Sequence, residues 1–164
     1  MQNSLTGKPE ACDCIPPVFL FGMVRQNNIF VTFVETKNTI MLKEGLEYTS
    51  TTVVAPGNCA SAVGSGGLDV FATPSMVALM ENAAMNAVAP FLPEGSTTVG
   101  AEINTTHIKP SALGSEIKAT ALLTAVEGRK LMFNVEASDG AGIIGKGTHV
   151  RFIVDTERFM AKLK

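Results

Sequence analysis

Cysteine is scarce in this 164-residue chain, which holds only Cys12, Cys14 and Cys59. An odd count with no second close pair excludes a disulfide framework. The Cys12-Asp13-Cys14 pair falls short of the three or four ligands that a metal site needs, so no metal is expected. A basic excess is also lacking. With 13 Lys and Arg against 15 Asp and Glu the formal net charge is −2, which points to neither a nucleic-acid partner nor an acidic tail. No apolar run approaches the ~20 residues of a membrane-spanning helix, so no membrane partner is expected. A secretory signal is not read either, because Glu10 and Asp13 precede the short apolar stretch 16–22. These absences leave one soluble domain, cytoplasmic by expectation, with a core large enough to need no staples.

The chain that remains divides unevenly. Residues 1–40 are turn-rich at first (Pro9, Pro16, Pro17) and then offer a lone strand pattern at Asn28–Glu35 that matches nothing downstream. They read as an N-terminal extension. From Met41 the pattern settles. Leu46–Ala55 is rich in Thr, Val and Tyr, ends at Pro56-Gly57, and predicts a strand. Asn58–Leu68 is small and glycine-rich, but it lacks the Lys and Ser/Thr of a phosphate loop, so it reads as a flexible connection.

A helix then begins explicitly at Thr73-Pro74, with Thr73 expected as the cap and Pro74 at the first helical position. Met76, Met80, Ala83 and Ala87 form one apolar row and Val77, Leu79, Ala84 and Val88 another, ending near Ala89-Pro90. Four strands are expected next, at Thr97–Lys109, Glu116–Val126, Lys130–Ala137 and Gly142–Asp155, as an antiparallel meander, followed by a short helix over Thr156–Lys164. A helix this apolar must be wrapped by the sheet, which makes the fold class α+β. An open outer strand would invite a second copy.

Chemistry is confined to few residues. Glu81 is the lone acid on the apolar side of the helix, where an unpaired carboxylate is expensive. His107 alternates in phase with Val99, Ala101, Ile103 and Thr105, which predicts an imidazole pointing at the helix. In the last strand Gly145, Gly147, His149 and Arg151 share a face. Two titratable groups in an apolar interior are what tuned acid–base chemistry requires. Thr73 adds a hydroxyl at the positive end of the helix. Thr73 and Glu81 lie eight residues apart, roughly 12 Å along the axis, so they do not touch. Either His107 reaches one of them only, or a site is completed across an antiparallel dimer; the composite site is the favoured reading.

Val70-Phe71-Ala72-Thr73-Pro74, Met80-Glu81, Gly100 seven residues before His107, Val126-Glu127-Gly128-Arg129 and Gly145–Arg151 occur in an order that resembles the hotdog-fold thioesterases related to fluoroacetyl-CoA thioesterase. The resemblance runs from Met41 to Lys164. It implies a hotdog domain over 41–164, an antiparallel five-stranded sheet wrapped around one long central helix. It further implies a homodimer or higher homo-oligomer that hydrolyses a short acyl-CoA thioester, with no cofactor beyond the coenzyme A of the substrate. By the same resemblance Thr73, Glu81 and His107 are catalytic, the Gly100 N–H binds the oxyanion, and Arg151 contacts substrate. Thr73 would serve as nucleophile or position a water, and Glu81 would orient His107 or activate that water. Where fluoroacetyl-selective relatives carry bulky aromatics before the helix, this chain has Gly64–Gly67. Candidate cations for the phosphates of coenzyme A are Lys109, Lys118, Arg129, Lys146 and Arg151. A non-catalytic acyl-CoA or small-ligand binding protein is the alternative from another class, and a dehydratase or hydratase a third.

Overall fold

The 16 residues Thr73–Val88 form helix α1, and its buried positions are Met76, Met80, Ala83, Ala84, Ala87 and Val88. That spacing is one continuous stripe along a 3.6-residue helix. Four of the six are alanine or valine, so a sheet can approach the helix axis closely. Met76 and Met80 are wholly buried and contribute about 1.5–3 kcal/mol each by leaving water. The start of the helix corrects the sequence reading by one residue. Ala72 is the cap, Thr73 the first helical residue and Pro74 the second, and no side chain caps the end. Pro74 still sacrifices nothing, because the first four N–H groups of a helix have no intrahelical partner. The hydroxyl of Thr73 is left free for other work.

The computed structural model describes residues 42–164. The readings made on the extension 1–40, its lone strand and the Cys12–Cys14 pair lie outside the described residues.

Around α1 runs a five-stranded antiparallel sheet: β1 Glu47–Val53, β2 Ser96–His107, β3 Glu116–Glu127, β4 Lys130–Asp139 and β5 Gly142–Asp155. A short helix α2, Thr156–Ala161, ends the chain, capped by the Asp155 carboxylate accepting from Arg158 N at 2.9 Å. The strand order is β1-β3-β4-β5-β2, which corrects the expected four-strand meander. Only β3, β4 and β5 form one. Their connections, Gly128-Arg129 and Gly140-Ala141, are two residues long and force neighbours to pair, with Gly128 supplying a positive φ of 61°. The eight residues between β2 and β3 are under no such constraint, and β2 crosses to the far edge beside β5. α1 packs mainly against β3 and β1, and much less against β2.

Phase along β2 also departs from the sequence reading. Val99 pairs with the part-exposed Phe152, whereas Ile103 pairs with the buried His149. Directly opposed residues share a face of the sheet, so Val99 points away from the side on which Ile103, Thr105 and His107 lie. The cause is a bulge between Gly100 and Glu102 that absorbs Ala101 and reverses the alternation. Before the bulge the inward positions are Thr98 and Gly100; after it they are Ile103, Thr105 and His107.

Candidate active site

The described residues bring the predicted site residues together in two clusters. At the start of α1, Thr73 Oγ1 lies 2.8 Å from His107 Nδ1. Thr73 is there because the helix begins one residue early; His107 is there because the bulge returns the end of β2 to the inward phase. His107 Nε2 is buried without a partner. Burial pushes the imidazole below its ordinary value, partly opposed by the backbone of Lys109. A neutral ring can accept the Thr73 proton at Nδ1, so the pair has the geometry of a hydroxyl and its base. The two residues line a cleft of about 290 Å³ with Ser65, Val70, Phe71 and Lys109.

This corner is held by Asp139 at the end of β4. Its carboxylate accepts from Ala141 N at 2.8 Å and Ser111 Oγ at 2.9 Å and pairs with Lys109 Nζ at 3.3 Å. The Ser111 carbonyl in turn accepts from Phe71 N at 2.9 Å, two residues before Thr73. Asp139 therefore ties together the segment that follows His107 and the segment that precedes Thr73. The Ala141 N–H, then the Ser111 hydroxyl and Lys109, hold its carboxyl below the ordinary carboxylate range. A lowered carboxyl stabilises the fold above its unfolded pKa, and that contribution disappears as pH falls through the folded value. Asp139→Asn is accordingly expected to melt lower than wild type at neutral pH, with the gap closing as pH drops below about 4. Thermal melts across pH check this; a gap independent of pH contradicts it.

The second cluster lies further along α1. Glu81 is half-buried, with no hydrogen bond to its carboxylate among the described residues, and its Oε1 stands 3.7 Å from His149 Nε2. Opposite it is Gly100, where a Cβ would come within 2.6 Å of Glu81 Oε1 and 3.2 Å of His149 Cε1. The position has no room for a side chain while the carboxylate stays where it is. Arg151 is buried below both. Its Nε donates to Thr98 Oγ1 at 2.9 Å, its Nη2 to the Thr98 carbonyl at 2.9 Å, and its Nη1 contacts His149 Nε2 at 3.1 Å. Burial pulls the guanidinium pKa down and the Glu81 carboxylate pulls it back up. Arg151 is thus an interior cation at 6% exposure, which rules it out as a surface dock for phosphates.

Within one chain, then, His107 meets Thr73 and not Glu81, while Glu81, Gly100 and Arg151 gather eight residues away. The other cations scatter. Lys109 borders the Thr73 cleft but is paired with Asp139; Lys118 stands 3.9 Å from Glu116 on the surface. Arg129 is exposed in the β3–β4 turn. Lys146 lines a groove of about 760 Å³, with Thr120, Asn134 and Thr148, that contains none of the predicted site residues.

The sequence matches the fluoroacetyl-CoA-specific thioesterase family over residues 54–157, a span that takes in both clusters. The chain belongs to that family. Among its relatives, the fluoroacetyl-CoA thioesterase of Streptantibioticus cattleyicolor is 44% identical over 96 residues, 58% of this chain and 69% of that protein. A solved structure of the fluoroacetyl-CoA thioesterase superposes with a TM-score of 0.71 at 36% identity, covering 75% of this chain and 96% of that one. A threonine-to-serine variant of that enzyme has been solved in complex with acetyl-CoA. A thioesterase superfamily member from Thermus thermophilus matches with a TM-score of 0.69 at 29% identity, over 74% of this chain and 90% of the other. The five-stranded sheet around one long helix is thus the hotdog arrangement of this thioesterase family.

Sequence reasoning gave no role to Thr98 or His149. Thr98 carried no signal, since its inward phase is created by the bulge. His149 did carry one: it is the other of only two histidines, two residues from Arg151 on the same strand face.

Proposed function

We propose that this chain hydrolyses short acyl-CoA thioesters to the free acid and coenzyme A, in a site that two copies build together. Membership of the thioesterase family supports the reaction class, and the 2.8 Å contact between Thr73 Oγ1 and His107 Nδ1 carries the mechanism. His107 takes the Thr73 proton, Thr73 Oγ1 attacks the thioester carbon, and the C–S bond breaks as His107 returns the proton to the departing thiolate. Water then adds to the acyl ester as Glu81 takes its proton, the ester C–O bond to Thr73 breaks, and that proton returns to Thr73 Oγ1 as the free acid leaves. The oxyanion is held at a backbone N–H such as that of Gly100, an interaction worth on the order of 3–4 kcal/mol in barrier lowering. Arg151 supplies positive potential beside that carboxylate.

The separation of the clusters supports the composite site. β2 is an edge strand, and both Gly100 and His107 lie on it. Pairing of two β2 edges in antiparallel sense brings Gly100 and Glu81 of one copy toward Thr73 and His107 of the other. A small cleft of about 290 Å³ beside Thr73 favours a short acyl chain. The test is a panel of acetyl-, propionyl- and butyryl-CoA with release of free thiol as readout. Turnover is expected on at least one of the three, decreasing as the acyl chain outgrows the cleft. Saturable binding of all three with no thiol released would reject hydrolysis and leave a binding protein.

A further inference from the structure

The geometry points to His149 as a positioning residue for the hydrolytic site: its imidazole clamps the β2 bulge with one nitrogen and the Arg151 guanidinium with the other, and so sets where Gly100 and Arg151 stand relative to Glu81. The inference rests on the thioesterase reading above and extends it to a residue outside the assigned set.

His149 is 1% exposed, in β5 between the bulge of β2 and Phe133 of β4, whose ring lies 6.3 Å away. Both ring nitrogens are occupied. Nδ1 lies 2.7 Å from the Glu102 carbonyl, an oxygen that can only accept, so Nδ1 carries the proton and donates. Nε2 lies 3.1 Å from Arg151 Nη1, a group that can only donate, so Nε2 carries the lone pair. The two partners together admit one form of the ring, the neutral Nδ1–H tautomer. The groups that face it are Glu81 from α1, the Glu102 carbonyl from β2 and Arg151 from β5. Burial foremost and the Arg151 charge push its pKa down, against the Glu102 carbonyl and Glu81. The 3.7 Å approach of Glu81 Oε1 is therefore not an ion pair, and the carboxylate remains free to act as a base.

What the ring holds matters for the reaction. Glu102 is the residue at which pairing resumes after the bulge, and Gly100, at the other side of that bulge, faces Glu81. Arg151 is fixed from one side by Thr98 and from the other by His149, with a longer 3.5 Å contact from Nη1 to the Glu81 carbonyl. A hydrophobic ring of similar size would preserve packing but release both polar contacts.

Two measurements test this. His149→Phe is expected to lower kcat for thiol release about tenfold to a hundredfold with KM within about threefold, since displacement of a positioned group by about 1 Å has effects of that order. His149→Gln, whose amide oxygen can accept from Arg151 at the Nε2 position, is expected to recover most of that loss. Long-range proton–nitrogen NMR spectra of wild type, simple to assign with two histidines, are expected to show His149 as the neutral Nδ1–H tautomer at pH 7. Wild-type kcat in His149→Phe overturns the proposal. So does an equal loss in the Phe and Gln variants that tracks a fall in melting temperature, which marks a merely structural residue. An Nε2–H or charged His149 overturns it as well. A wild-type chain that releases no thiol from any ester removes the hydrolase reading itself, an outcome distinct from all of these.

Discussion

His107→Ala is expected to reduce kcat for thiol release by about 10²–10⁴-fold while leaving the fold and KM close to wild type. The size follows from what the side chain does. Thr73 Oγ1 has its hydrogen-bond partner in His107 Nδ1, and a threonine hydroxyl without a base is a poor nucleophile at neutral pH. The Glu81, Gly100 and Arg151 cluster survives the substitution untouched, so residual turnover from electrostatic stabilisation remains. KM is expected to be spared because the proposed role of the ring is to move a proton at Thr73 Oγ1, not to hold the substrate. The pH dependence has a definite sign. Burial lowers the His107 pKa, and the base must be neutral, so wild-type kcat/KM holds through neutral pH and falls on acidification only below the ordinary imidazole value. Rates of the variant and of wild type, with thermal melts as a folding control, decide the matter. Wild-type kcat in a folded His107→Ala protein would remove the pair from the mechanism.

How far the sequence could carry a reader is visible residue by residue. The Met76, Met80, Ala83, Ala87 stripe and the turn signals at Glu127-Gly128-Arg129 and Asp139-Gly140 are local, and the helix and both tight connections stand where they point. The pairing of β2 with β5 is not local. It depends on where an eight-residue connection crosses the sheet, and nothing in residues 108–115 says which neighbour β2 will take. The bulge at Gly100–Glu102 is one extra residue without its own signature, and it put Val99 on the wrong side in a strictly alternating reading.

The site shows the same division. Thr73, Glu81, Gly100, His107 and Arg151 are all legible in the sequence, because a hydroxyl at a helix start, a lone acid on an apolar stripe and family motifs are each visible in one dimension. Their grouping was not. Thr73 with His107, and Glu81 with Gly100, His149 and Arg151, are sets defined by which strand edge faces which turn of α1. The clamp from Asp139 to Ala141 N and the His149 contact to the Glu102 carbonyl use backbone groups, which every residue possesses and no sequence pattern marks.

The separation of the two clusters makes subunit complementation the sharpest test of a shared site. If each complete site takes Thr73 and His107 from one copy and Glu81 from the other, two separately inactive variants must complement each other. Glu81→Gln alone is expected to lose about 10²–10³-fold in kcat, because the neutral amide cannot act as the base that the water step needs. His107→Ala alone is nearly inactive for the reason given above. When the two are unfolded, mixed in equal amounts and refolded, about half of the dimers contain one chain of each kind. In such a dimer one site joins the intact Thr73–His107 pair of the Glu81→Gln chain to the intact Glu81 of the His107→Ala chain, and the other site is doubly defective. Turnover in the mixture is thus expected to rise to about a quarter of wild type, far above either parent. A single-chain site predicts no rescue at all, since every chain in the mixture lacks one of the two groups. The contrast does not depend on knowing the physiological acyl group, because any ester that the wild type cleaves will report it. It turns on one distance along α1: eight helical residues, roughly 12 Å, keep Glu81 away from the histidine of its own chain.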